Sequence, residues 1–153
     1  MIHLAAVAGS HQQGSHEDEV SFCSYCGRTG GDPRQRVCAA CGLGVRLHTD
    51  ARALKSSGAP FLIVRADGRI SAASATAERE FGDVVDRPLL TVFTSPAPEG
   101  ELSRAVALAA AGEGGLATLP LARLGSGRFR GSLRATIAPC GDPAAALVVL
   151  ERA

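Results

Sequence analysis

Aromatic side chains make up 4% of the chain, tryptophan is absent and tyrosine occurs once. Such a composition offers few rigid faces on which a flat cofactor or a nucleic-acid base can stack. A large charge of one sign is missing too. The formal net charge is +1 at pH 7, so the whole chain is no polyelectrolyte partner for DNA or a membrane surface. No apolar run approaches the ~20 residues that a membrane-spanning helix needs. The opening MIHLAAVAGS lacks the basic start of a signal peptide and is too short for one. These absences predict a cytoplasmic protein without membrane contact, where thiols stay reduced and cysteine pairs favour metal over disulfide. No nucleophile–base pair or paired carboxylates stand out. Asp83 and Asp86 fall at a turn, and Glu78 and Glu80 on a wet helix face, so no enzyme is expected.

What is present is aliphatic. Apolar residues make up 46% of 153, enough for a small module joined to one domain of about 100 residues. The composition divides the chain into four parts. Residues 1–20 form a polar, aperiodic leader read as disordered, and 21–47 carry the cysteines. Residues 48–58 form a connector with helix-like spacing of Ala51 and Leu54, and 59–153 form a longer patterned region.

The cysteine stretch reads CSYCGRTGGDPRQRVCAACG, with Cys23, Cys26, Cys38 and Cys41 as two Cys-x-x-Cys-Gly pairs. Two residues between cysteines let one tight turn aim both sulfurs at a single ion, and a structural zinc site takes four such ligands. Gly27 and Gly42 permit the left-handed backbone that aims N–H groups at those sulfurs. The segment has too few apolar side chains to fold without a staple, which makes the metal its core. Iron with the same ligands stays open, while iron–sulfur clusters usually show other spacings. A dithiol redox centre usually has one such pair at a helix start within a βαβ unit, a setting neither pair has. From Cys23 to Lys55, Arg28, Arg34, Arg36, Arg46, Arg52 and Lys55 stand against Asp32 and Asp50. These cations either balance the negative metal–thiolate cluster or, through Arg28, Arg34, Arg36 and Arg46, contact nucleic acid or a partner.

Beyond residue 58 the pattern predicts two strands, three short helices and three strands, an α+β layout with one five-stranded antiparallel sheet. The strands are 60–66 and 69–73, joined by an Asp67-Gly68 turn, and then 116–124, 128–138 and 144–152. The helices are 74–81 with Ser74 as cap and Gly82 as stop, a short turn within 86–93, and one beginning at Glu101. Pro139 to Pro143 is expected to form the last turn. The last strand is apolar on both faces, with Ala145, Leu147 and Val149 on one and Ala146, Val148 and Leu150 on the other. Such a sheet needs cover on both sides, from the connector helix, a second protomer, or both.

The run GAPFLIVRADGRISAASATAEREFGDVVDRPLLTVF, with GRFRGSLRATIAPCGDPAAALVVLER at the end, resembles a PAS domain. Residues 21–47 resemble a double-knuckle zinc ribbon. The PAS resemblance covers about 95 residues and implies a ligand-sensing or dimerising signal domain. It also implies no haem, because the helix from Glu101 has no histidine, and no photoactive flavin, because Cys140 falls in a predicted turn. The ligand, if there is one, is not legible. The chain ends with the last strand of the resemblance, so no output domain is expected in it. These readings combine into a non-enzymatic sensory or scaffolding protein that pairs as a homodimer through the sheet and connector and signals through an unidentified partner. The alternatives are a nucleic-acid or transcription-associated protein acting through the basic cysteine module, and a thiol redox sensor.

Overall fold

The computed structural model describes residues 18–32, 34–55, 58–124 and 131–153. Its order is β1 (Glu19–Cys23), β2 (Arg46–Asp50), a 3-10 turn (Ala51–Leu54), β3 (Phe61–Val64) and β4 (Ile70–Ala73). There follow α1 (Ala75–Phe81), α2 (Leu89–Val92), β5 (Phe93–Thr94), α3 (Glu101–Ala110), β6 (Ala117–Arg123), β7 (Ser132–Gly141) and β8 (Ala145–Arg152). The fold is α+β, with every described strand in one curled antiparallel sheet.

The sheet runs β1-β2-β7-β8-β3-β4, with β6 on β7 and β5 on β6. β8 lies along one edge of β7 from Leu133 to Cys140. The other edge is shared: β6 pairs with Ser132 to Ile137, and His48 and Thr49 of β2 stand opposite Gly141 and Cys140. The strand that closes the cysteine module is thereby part of the main sheet. A buried Thr49 secures this join by donating its hydroxyl to the Pro139 carbonyl at 2.9 Å.

The caps of α1 and the buried face of α3 form where the pattern places them. Ser74 Oγ accepts the Ala77 N–H at 3.1 Å as the cap of α1, and also the Phe61 N–H at 3.0 Å, which ties the helix start to β3. Gly82 ends α1 at φ +77°, with its N–H on the Glu78 carbonyl. On α3, Leu102, Val106 and Ala109 are buried. They pack with Leu62, Val64, Val148 and Leu150 into an inner core between helices and sheet. Arg123 donates to the Phe81 carbonyl at 2.7 Å, and the Phe81 and Phe93 rings meet edge to face at 5.3 Å.

Both faces of the central strands are buried. Phe61 and Ile63 of β3 join Ala145, Leu147 and Val149 of β8 in an outer cluster with Phe22, Leu47 and Ala53. The cover on this face comes from the chain's own hairpin and 3-10 turn. β7 makes the change visible along its length. On its outer side Ser132 and Arg134 are exposed, whereas Ala138 and Cys140 are buried.

Four expectations are corrected. The connector is not a helix over 48–58. His48 to Asp50 belong to β2, and among the described residues of 48–58 only Ala51–Leu54 coil, because β1 pairs with all three of the first residues and β7 with His48 and Thr49. Strand β7 runs through Pro139 and Cys140 to Gly141, so Cys140 lies in a strand, not a turn. β5 appears where only a helical turn was expected. The leader was expected to reach residue 20, but β1 begins at Glu19; residues 1–17 and the Gly125-Ser126-Gly127 turn lie outside the described residues.

Phe22 and Phe61 meet edge to face, with ring centroids 5.5 Å apart at 87°. Leucine replacements of each, alone and together, are expected to give a coupling of about 0.5–1.5 kcal/mol in urea unfolding of the metal-loaded protein. A coupling indistinguishable from zero would mean that the module does not sit on the sheet.

Candidate metal centre

β1 delivers Cys23 at its last residue, and the turn that follows carries Cys26. The second pair sits in a turn that returns to β2 through Val45. Each turn closes in the same way. The Gly27 N–H donates to the Cys23 carbonyl at 3.1 Å, and the Gly42 N–H to the Cys38 carbonyl at 2.8 Å. Both glycines have positive φ, +74° and +68°, a conformation that side chains rarely adopt. The turns are then stitched together. Cys38 N–H donates to the Gly44 carbonyl, Ser24 N–H to the Val45 carbonyl, and Val45 N–H to Ser24 Oγ.

The four Sγ atoms lie within 4.8 Å of one another. Cys23 and Cys41 sulfurs are 3.6 Å apart, and those of Cys26 and Cys38 are 3.8 Å apart. A tetrahedron with metal–sulfur bonds of about 2.3 Å has edges of about 3.8 Å. The four thiols can therefore hold one metal ion in a closed site.

Backbone amides polarise the sulfurs, as the glycines led us to expect, but the donors differ. Tyr25 N–H points at Cys23 Sγ at 3.4 Å and Gly44 N–H at Cys41 Sγ at 3.5 Å, while the Gly27 and Gly42 N–H groups serve carbonyls. In the thiols alone, Cys41 is drawn down to about 6, first by the Gly44 N–H and next by that of Leu43. Cys38 is lowered chiefly by the Cys41 N–H. Burial pushes Cys23 up to about 12. The Cys41 shift stabilises the metal-free fold above the ordinary thiol range, and that contribution is lost as pH falls through about 6. A bound cation must displace the remaining thiol protons, so its hold weakens in acid. Cys140 stands apart, buried in β7, and desolvation holds its thiol near 12.

Gly44 escapes a reading of the sequence that stops at Gly42. A Cβ there would run into Cys23 Sγ and come within 2.9 Å of the Tyr25 nitrogen. The second glycine of CGLG was its only signal. Tyr25 has none, since it acts through its carbonyl, which accepts the Ala75 N–H at 2.8 Å and fixes the first turn to the start of α1.

The structure does not bring all four candidate arginines together. Arg34, Arg36 and Arg46 line one cavity, and Arg28 lines another beside Cys26 and Lys55. Among the described residues no arginine donates to a sulfur; Arg46 Nη2 goes to Ser21 Oγ at 2.7 Å and Arg36 Nη2 to the Asp142 carbonyl at 3.4 Å. No described helix is long and apolar enough to cross a membrane. Comparison with protein-family models, curated proteins and solved structures finds no match, so the site is read from its own residues.

Gly44→Ala is expected to weaken metal binding by about tenfold or more, because Cys23 Sγ must move out of the tetrahedron. Competition with a metal-binding dye checks this, and wild-type affinity in the variant would contradict the geometry.

Proposed function

We propose that the chain is a non-enzymatic sensory or scaffolding protein in which a structural zinc module is coupled to a PAS-like sheet domain. The observation that carries the reading is that module and domain share one packed surface. Phe22 and Leu47, the large buried aliphatic and aromatic side chains of the module, both belong to the outer cluster on β3 and β8. Whatever shifts the sheet is felt at the sulfurs through that cluster and the Tyr25–Ala75 hydrogen bond. The order of strands and helices after residue 58, the Asp67-Gly68 turn and the Ser74-capped helix support the PAS-like reading.

Four thiolates favour zinc in a closed tetrahedral site, where it adds folding energy and no open coordination position. The metal's part is to hold the two turns. Val37, Leu43 and Val45 of the second turn are exposed, so the module has no apolar core apart from its sulfurs and the side chains it lends to the sheet.

A native mass spectrum of the purified protein is expected to show the chain plus one zinc, with no visible absorption. Visible bands from an iron–thiolate centre would reassign the metal, and a stable folded chain without any metal would overturn the reading.

A further inference from the structure

Three guanidiniums gather where the cysteine module meets the far end of the sheet. Arg34 and Arg36 come from the loop between the two cysteine pairs, and Arg46 from the start of β2. They line a cavity of about 130 Å³ together with Ser21 of β1 and Gln35. His48 and Asp142, the latter from the β7–β8 turn, complete its wall.

The cations are not neutralised there. Ion pairs join Asp50 to Arg52, Asp67 to Arg65 and Glu151 to Arg134, whereas among the described residues the guanidiniums of Arg34, Arg36 and Arg46 have no carboxylate partner; the Asp32 carboxylate accepts only the Arg34 backbone N–H, at 2.9 Å. Three guanidiniums against the carboxylate of Asp142 leave a formal charge of +2 around the cavity from arginine and aspartate. Arg46 is also held in place. Its Nη2 is bound to Ser21 Oγ, and Gly31 packs so closely that a Cβ would lie 2.7 Å from Nη1. Its Nε is buried with no hydrogen-bond partner. Such an orphaned donor costs free energy unless something answers the charge of its group. Arg36 already reaches across to the Asp142 carbonyl, which places its fork between the inter-pair loop and the sheet.

We propose that this cavity binds one small tetrahedral oxyanion of the phosphate class, as free phosphate or as the phosphoryl group of a small phosphomonoester. Guanidinium forks match such an anion through paired N–H donors, and the Ser21 hydroxyl and the Gln35 amide add neutral ones. The cavity has room for a phosphoryl group, and no Phe, Tyr or Trp side chain lines it for stacking, so its lining favours a single phosphoryl group over a nucleic-acid strand. A bound anion would tie the inter-pair loop to the β7–β8 turn and so connect the metal module to the sheet at a second point.

Calorimetric titration of the zinc-loaded full chain with inorganic phosphate, against chloride at equal ionic strength, tests this. Saturable binding of one phosphate per chain is expected, weakened about tenfold or more by Arg34→Gln with Arg36→Gln, both exposed positions. Arg28→Gln, which lies in the other cavity, is expected to leave it unchanged. A parallel titration with glycerol phosphate identifies the source: tighter binding than phosphate assigns a phosphomonoester, and equal or weaker binding assigns free phosphate. In the unaltered protein, phosphate is also expected to shift arginine Nε–H resonances, a readout independent of how the variants fold. Phosphate that behaves like chloride, or unshifted resonances, would overturn the proposal. So would an equal loss in Arg28→Gln, or binding of a single-stranded oligonucleotide without binding of phosphate.

Discussion

The structure depends on the burial of Phe22 and Leu47 against Phe61, Leu147 and Val149. Two incomplete pieces meet there. β3 and β8 are apolar on both faces, and the helices cover only the inner one. The cysteine module leaves Val37, Leu43 and Val45 exposed, and the large apolar side chains it buries, Phe22 and Leu47, go to the sheet. Each piece completes the other, and hydrophobic burial supplies the gain on both sides. The β1–β2 ladder sets Phe22 opposite Leu47, and a metal ion held by the four thiols would tie together the two turns that join those strands.

Coupling therefore needs no flexible linker. β2 is a strand of both the cysteine hairpin and the main sheet, joined to β7 at His48 and Thr49. The first turn is bonded to the start of α1 through Tyr25. The same Ser74 that caps α1 also binds β3, so the helix layer, the sheet and the cysteine turn meet within a few residues. The arginine cavity lies at the opposite join, between the inter-pair loop and the β7–β8 turn. The outer layer is thus pinned at two places, through Tyr25, next to Cys26, and through Arg36, two residues from Cys38.

Much of this was legible in the sequence, for identifiable reasons. The Cys-x-x-Cys spacing pointed to a shared tetrahedral site, and the four sulfurs it predicted do lie together. The two apolar faces of β8 could be read because side chains alternate strictly along a strand, and the inner and outer clusters divide Ala145 to Leu150 as that alternation requires. Ser74 and Gly82 were legible as caps because a helix end demands them. What stayed hidden depends on partners distant in sequence. His48 to Asp50 carry no sign that β7 will claim them, and Cys140 looks like a turn residue until the strand beside it is known. The cover of the outer face was the largest such gap, since an apolar face cannot say whether its partner is another chain or the residues before it. Gly44 was missed for a local reason: its need is set by the position of Cys23 Sγ, across the hairpin.

The most direct test of the account is amide hydrogen exchange of the full chain with the metal bound and after its removal by a chelator. If the module and the sheet are one unit, removal should deprotect the Ala75 amide and those of β7 from Ala138 to Gly141 together with the cysteine turns. Loss of protection confined to the cysteine turns, with β7 and Ala75 unchanged, would show an independent appendage and contradict the account.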